Sequence, residues 1–181
     1  HFGVGVSPWY EDFLATGERW EKRGKRMDEQ IDILKGLMNG EYFSYKGEFY
    51  DIPELKLCPA PTQPVPILIG GHSKLALKRA ARVGDGWISA GLDLEQTKSL
   101  IDQINVYRNE YGTMSHPSYQ FQVMGEAAYS PDGIKSLEDL GATEVIVAFR
   151  NTYEGGADER TLKGMIAEIN WYAEEVINKS R

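Results

Sequence analysis

The pattern of apolar and polar positions predicts short strands separated by amphipathic helices. Apolar or alternating runs of strand length lie at residues 2–6, 67–69, 87–88, 119–123 and 144–149. Helical spacing or helix-start and helix-stop residues mark residues 20–38, 74–83, 93–111, 131–140 and 158–177. This repeated alternation favours an α/β fold with about five parallel strands.

Two architectures fit this alternation, an open doubly wound sheet and part of a (β/α)8 TIM barrel. A whole barrel needs roughly 250 residues, so 181 residues do not easily close one alone. Length favours a single α/β domain over residues 1–181. The chain begins at His1 and enters a strand at once, which suggests a processed or truncated chain.

The sequence makes more specific predictions for the last strand and the last helix. Residues 144–149, EVIVAF, form the most hydrophobic strand of the chain, which is typical of a sheet buried on both faces. A polar, glycine-containing loop follows over residues 150–156. The apolar residues of the helix over 158–177 are expected to face inward.

Residues 41–66 read as an insertion between a helix and the next strand. Aromatic and polar residues alternate on either side of Lys46 and Gly47, which indicates a β-hairpin or an aromatic-rich excursion of the chain. Prolines at positions 59, 61, 64 and 66 then require an extended segment. An insertion of this length tends to border a site or a subunit contact.

A glycine pair follows the strand at 67–69 and supplies the first candidate chemistry. Gly70 and Gly71 permit a sharp turn, and Ser73 is placed to cap the next helix beside His72. The first amides of a helix have no partner within it and form a natural anion site. The turn is either a phosphate cradle or a tight connection whose glycines only serve packing.

An aromatic stretch after the first strand also allows two interpretations. It contains Trp9, Tyr10, Phe13 and Leu14. It forms either a wall of a substrate or cofactor site or, as the pattern favours, a short amphipathic helix that covers the sheet.

Composition narrows the class of protein. A hydrophobic share of 41% is typical of a soluble globular chain, and a net charge of −7 argues against a nucleic-acid or anionic-membrane surface. The single cysteine, Cys58, cannot form an internal disulfide, which suits the cytoplasm. No apolar run is long enough to cross a membrane. The three histidines show no metal-ligand spacing, so no metal is expected.

Four segments resemble the luciferase-like monooxygenase superfamily, and more closely its oxidoreductases that use the deazaflavin coenzyme F420. The segments are FGVGVSPWYEDFLATG at 2–17, RGKRMDEQIDILKGL at 23–37, PAPTQPVPILIGGHSKLALKRAARVGDGW at 59–87 and GATEVIVAFR at 141–150. The resemblance implies a (β/α)8 barrel of which this chain forms strands four to eight, with the N-terminal strands missing. Since those strands carry much of the family's ring pocket, no catalytic acid or base is carried over.

The resemblance also implies a set of cofactor-binding residues at the carboxyl ends of the strands. Gly70, Gly71, His72 and Ser73 match the family segment that meets the cofactor phosphate. Gly5, Ser7, Ser89 and Arg150 follow other strands and point to the same rim. Arg150 either holds an acid group of the cofactor or pairs with Glu144 or Glu154.

Three functions remain open from the sequence. The first is an F420-dependent oxidoreductase that moves hydride to or from a small organic substrate. The second keeps the barrel but uses FMN, as a monooxygenase supplied by a separate flavin reductase. The third is a non-catalytic structural or binding module. Because a five-stranded piece of a barrel leaves exposed edges, pairing of two copies as a homodimer or higher oligomer is expected.

Overall fold

The computed structural model describes residues 1–150 and 160–180. The strands are β1 Phe2–Val4, β2 Phe43–Lys46, β3 Asp51–Leu55, β4 Ile67–Gly70, β5 Gly86–Ile88, β6 Gln120–Val123 and β7 Glu144–Val145. The α-helices are α1 Tyr10–Thr16, α2 Arg23–Met38, α3 Lys74–Val83, α4 Leu94–Tyr111, α5 Pro131–Asp139 and α6 Leu162–Tyr172. A 3-10 turn spans Glu126–Tyr129, and a π-helical segment, Ala173–Ile177, extends α6.

Five strands form one parallel sheet in the order β1-β4-β5-β6-β7. Every strand of this sheet lies beside the one that precedes it in the chain, apart from the inserted hairpin of β2 and β3. The predicted α/β fold and the predicted hairpin are therefore both confirmed.

Helices α2, α3, α4 and α5 pack against one face of this sheet. Val4, Ile69, Trp87 and Phe121 are register partners across four strands and point to the same side. They pack in one core with residues of three helices, namely Met27 and Ile31 of α2, Leu77 and Ala80 of α3, and Ile101 and Ile104 of α4. Val123 of β6 continues this face against Leu137 of α5. Helices on a single face of sequential parallel strands are typical of a barrel wall, whereas a doubly wound sheet carries helices on both faces.

Helices α2 and α3 are joined by an ion pair within this layer. Arg79 of α3 is 8% exposed, and its Nε donates to Oδ1 of Asp28 on α2 at 2.7 Å. Its Nη2 also donates to the carbonyl oxygen of Gly24 at 2.9 Å. Because a buried guanidinium is stable only when it is paired, this contact fixes the two helices relative to one another.

The hairpin is held on α2 by a single carboxylate. The backbone N–H groups of Glu48, Phe49 and Tyr50 all donate to the side chain of Glu29. The side-chain amide of Gln30 donates to the Tyr50 hydroxyl at 2.7 Å. The insertion is thus docked on the helix that precedes it.

Two expectations for the end of the chain are wrong in their detail. Strand β7 has two residues, and Glu144 is exposed while Val145 is half-buried, because β7 is an edge strand of the described sheet. Along α6, Leu162 is 73% and Ile169 is 54% exposed, so much of its apolar surface does not face inward. Residues 151–156 of the predicted loop and the predicted start of this last helix lie outside the described residues.

Near the amino terminus, two further expectations need correction. Helix α1 has no buried residue, so the aromatic stretch forms a helix but does not cover the sheet. Helix α2 begins at Arg23 rather than at Trp20, because Lys22 adopts a left-handed conformation with φ of 57°. Trp20 instead packs edge-on against Tyr10 and Phe13.

None of the described helices combines the length and apolar character that a membrane crossing requires. Within residues 1–150 and 160–180, no three His, Cys, Asp or Glu side chains are grouped so as to hold a metal ion.

Candidate functional site

A cavity of about 580 Å³ opens at the carboxyl ends of β1 and β4. The glycine turn after β4 forms one wall, and the start of α2 forms the other. The lining residues from the turn and α3 are Gly70, Gly71, His72, Ser73, Leu75, Ala76 and Arg79, and those opposite are Val6, Ser7, Pro8, Lys22, Arg23 and Gly24. This is the end of the strands at which parallel α/β folds bind ligands.

The turn itself is open and its amides are available. Gly71, His72 and Ser73 are exposed, and the hydrogen bonds of the described residues include no acceptor for their backbone N–H groups. Gly71 has φ of +117°, and a Cβ there would lie 3.0 Å from Cβ of Ala76. A side chain at this position is therefore disfavoured both by backbone strain and by space.

Ser73 begins α3 as the sequence predicts. Its Oγ accepts a hydrogen bond from the N–H of Ala76 at 3.3 Å, and its own φ and ψ are extended. The hydroxyl hydrogen remains to donate to an acceptor outside the helix. The cap aims the amino end of α3, with its partial positive charge, into the cavity.

Two hydrogen bonds hold the glycine turn in place. The indole N–H of Trp87 donates to the carbonyl oxygen of Gly71 at 2.9 Å. Nε2 of His72 accepts from the N–H of Ala90 at 3.2 Å, which leaves its proton on Nδ1. Burial lowers the pKa of His72, so the ring is neutral near pH 7 and acts as a donor through Nδ1.

Three cationic side chains line the cavity, and they differ in their partners. Lys22 contacts Glu48 at 2.5 Å, and Arg79 pairs with Asp28. Arg23 has no carboxylate within ion-pair distance among the described residues, and its guanidinium lies 3.5 Å from the ring centre of Trp20. No signal in the sequence singles out Arg23, because residues 18–29 contain many charged residues of both signs.

A smaller cavity of about 280 Å³ adjoins the first and shares Val6, Ser7 and Arg23 with it. Gly5 lines this second cavity. The hydroxyl of Ser7 donates to Oδ2 of Asp12 at 2.5 Å and accepts from the N–H of Trp9 at 3.1 Å. Ser7 therefore lies at the predicted rim, with its hydroxyl engaged in shaping the loop before α1.

Three of the predicted site residues do not line the cavity beside the glycine turn, namely Gly5, which lines the adjoining cavity, Ser89 and Arg150. Ser89 is 1% exposed, and its Oγ accepts from the N–H of Met124 at 3.0 Å, so its hydroxyl joins the loops after β5 and β6. Arg150 is exposed and lies at the end of the first described range. Glu144, a suggested partner of Arg150, accepts a hydrogen bond from Gln122 at 2.6 Å.

The donors of this arrangement are of the kind that bind an anion. Unbonded amides, a helix amino terminus, a serine hydroxyl and an arginine converge on one open cavity. A phosphate group is well matched to such a donor set. The Cβ position at Gly71 faces Ala76 of α3, so the need for glycine there comes from the backbone conformation and from packing inside the turn.

Comparisons with known proteins identify the family of the chain. Residues 1–161 match the family described as luciferase-like monooxygenase. An uncharacterized protein of Mycobacterium tuberculosis (strain ATCC 25618 / H37Rv) is 48% identical over 177 residues, which are 98% of this chain and 60% of that protein. The chain thus spans about three fifths of the length of this relative.

Shorter matches reach characterised relatives of both cofactor types. The FMNH(2)-dependent dimethylsulfone monooxygenase of Pseudomonas fluorescens (strain Pf0-1) is 35% identical over 103 residues, covering 55% of this chain and 28% of that enzyme. The F420-dependent hydroxymycolic acid dehydrogenase of M. tuberculosis is 32% identical over 99 residues, covering 48% and 28%.

A solved structure gives the same fold over nearly the whole chain. The coenzyme F420-dependent tetrahydromethanopterin reductase of Methanopyrus kandleri superposes with a TM-score of 0.73 at 13% identity, covering 99% of this chain and 74% of the reductase. From the family match, with the one-sided parallel sheet in agreement, this chain belongs to the luciferase-like monooxygenase family.

Proposed function

We propose that this protein is an oxidoreductase that uses coenzyme F420 and transfers hydride to or from a small organic substrate. The observation that carries the proposal is the open turn at Gly71 to Ser73, whose N–H groups have no acceptor among the described residues and face a cavity of about 580 Å³. The shared sequence with an F420-dependent dehydrogenase supports the choice of coenzyme.

The residues of this chain bind and orient the coenzyme. The amides of Gly71, His72 and Ser73 and the Ser73 hydroxyl hold its phosphate at the amino end of α3. The coenzyme itself supplies the hydride chemistry when it is bound. The bond from Trp87 to the Gly71 carbonyl keeps the turn in its binding geometry, because it removes a degree of freedom from the loop.

FMN is the second candidate, and the match to an FMNH(2)-dependent monooxygenase favours it. The same amides fit the phosphate of FMN, so the phosphate site does not discriminate between the two coenzymes. An FMN-dependent activity would be a monooxygenase reaction, with reduced flavin supplied by a separate reductase.

Equilibrium binding tests the proposal. The purified 181-residue chain is titrated into F420, into FMN and into the phosphate-free deazaflavin chromophore, with fluorescence as the readout. We expect quenching by saturable binding of F420, weaker binding of FMN, and a loss of affinity for the phosphate-free chromophore. Tighter binding of FMN than of F420, with a yellow protein after purification, would replace the first candidate by the second.

The third candidate, a non-catalytic binding or structural module, predicts a different result. It is supported if neither coenzyme binds at protein concentrations up to about 1 mM, a limit that corresponds to roughly 4 kcal/mol of binding free energy. Such a result would contradict both coenzyme proposals for the chain.

A further inference from the structure

Arg23 lies between the two cavities that meet at the carboxyl end of β1. It lines both the cavity that contains the glycine turn and the smaller one beside Gly5. Its guanidinium carbon is 3.5 Å from the ring centre of Trp20, so the flat group is stacked on the indole. Stacking holds the guanidinium in one plane without using its hydrogen-bond donors.

Arg23 forms no ion pair within 4.0 Å among the described residues, although Asp12 and Glu18 line the smaller cavity with it. Three nearby arginines are paired, since Arg26 approaches Glu18 at 3.8 Å while Arg79 and Arg82 both contact Asp28. Nε of Arg23 is shielded from solvent and has no hydrogen-bond partner. The guanidinium lines both cavities without a carboxylate partner, so it is placed to bind an anionic ligand there.

The amino ends of two helices add to the positive potential around Arg23. Helix α2 begins at Arg23, and α3 begins at Lys74 on the opposite wall of the cavity. Two helix amino termini and one unpaired guanidinium therefore face a common space. An anion between them would receive amide hydrogen bonds from one side and the arginine fork from the other.

We propose that Arg23 is the cationic contact for the phosphate group that the glycine turn binds. This inference rests on the proposed coenzyme function and extends it by adding a charged side chain from α2 to a site formed otherwise by α3. Trp20 is then a positioning residue, which acts on the ligand only through the orientation of Arg23.

The test compares Arg23→Met with Lys25→Met, which removes the same charge from an exposed position two residues along the helix. Each variant is titrated with F420 and with the phosphate-free deazaflavin chromophore. We expect Arg23→Met to lose on the order of 10- to 100-fold in affinity for F420, the size of one charge-assisted contact. Its affinity for the phosphate-free chromophore should be unchanged, as should both affinities of Lys25→Met.

Salt dependence gives a second readout that a purely structural role would not change. Wild-type affinity for F420 should fall as NaCl is raised, and Arg23→Met should have a smaller slope because one cationic contact is gone. Trp20→Leu should weaken F420 binding by less than Arg23→Met does, while Arg23→Lys should recover part of the loss.

Three outcomes would overturn the inference. Unchanged F420 affinity in Arg23→Met, with wild-type protein binding normally, overturns the role of Arg23 and leaves the coenzyme proposal intact. An equal loss for F420 and for the phosphate-free chromophore also excludes a phosphate contact. If the wild-type chain binds neither F420 nor FMN, the coenzyme proposal fails and this inference fails with it.

Discussion

Gly71 is the residue whose backbone conformation the candidate site depends on most. Its φ of +117° turns the chain from β4 towards α3 and presents the amides that follow. The pair Gly70-Gly71 was visible in the sequence, as was the Ser73 cap. What the sequence left open was whether packing already used those amides, and the structure leaves them exposed.

A methyl group at position 71 tests this dependence. We expect Gly71→Ala to destabilise the chain by about 1–3 kcal/mol, because an L-residue is strained at this φ, and to weaken F420 binding tenfold or more. The measurements are urea unfolding and fluorescence titration. Gly141→Ala is the matched control, since φ there is +92° and a Cβ would meet no atom within 4 Å. Equal coenzyme affinity in the two variants would count against the glycine turn as the binding element.

His72 gives the site a pH dependence with a definite sign. Burial lowers its pKa below the ordinary value of 6.5, and Nε2 must stay unprotonated to accept from Ala90. As the pH falls below about 6.5, the unfolded chain therefore takes up this proton before the folded chain does. The contribution of His72 to stability is full above that pH and is lost progressively below it.

This sign can be measured by NMR and by denaturation. We expect one histidine resonance, absent from His72→Gln, to titrate below pH 6.5 in the folded chain. The free energy of unfolding of the wild-type chain should fall more between pH 7 and pH 5 than that of His72→Gln, whose amide oxygen can still accept from Ala90. A His72 resonance that titrates above 6.5 would reverse the predicted sign.

At the scale of elements, α2 and α3 are the pair that builds the site. The Asp28–Arg79 contact joins them at the wall of the cavity, which Arg79 lines, and each helix contributes its amino end to the cavity. The position of Arg23 relative to the glycine turn is therefore set by a buried ion pair rather than by loop residues.

Removal of Asp28 should disturb both stability and binding. We expect Asp28→Asn to lower the free energy of unfolding by about 2 kcal/mol, because it leaves Arg79 largely buried without its counter-charge. Coenzyme affinity should fall as well. Asp102→Asn breaks an exposed pair with Lys98 on α4 and should cost less than about 0.5 kcal/mol. Similar costs in the two variants, measured by urea unfolding, would contradict a structural role for the Asp28–Arg79 pair.

The elements differ in how well the sequence predicts them, and the reason is physical. Helix α3 has a serine cap, a regular apolar stripe and a glycine stop, so local signals alone define it. The start of α2 depends on Trp20 leaving the helical path to pack on Phe13 and Arg23, which is a tertiary contact. The run over 144–149 that contains β7 is apolar in sequence, yet the burial of β7 depends on what lies beyond the sheet edge. The spacing of apolar residues along the sequence predicts neither the tertiary contact of Trp20 nor the burial of β7.

For the whole molecule, the one-sided packing of helices is the feature that decides the architecture. The sequence predicted the alternation of strands and helices but allowed two ways of winding them. Register partners from Val4 to Phe121 place the helices on one face, which excludes the doubly wound alternative. To predict which face of the sheet each helix covers, the spatial order of the strands must be known. In the sequence, only the resemblance to a known family indicates that order.

Within the described residues, strands β1 and β7 are the two ends of the sheet, and α6 exposes apolar side chains. We propose that the chain associates with itself to cover such surfaces. Light scattering after size exclusion should give a mass of at least twice the 20.4 kDa of one chain. A stable species at 20.4 kDa over a hundredfold range of concentration would contradict this proposal.

The packing of helices on only one face of the sheet has a consequence for how barrels of this kind are assembled. A strand can join either border of the sheet through main-chain pairing alone, and no helix that is already in place has to be repacked. A barrel of this kind can therefore be closed by strands that come from two separate polypeptide chains. Co-expression of complementary pieces, split at a strand border, becomes a practical way to rebuild and vary the enzymes of this fold.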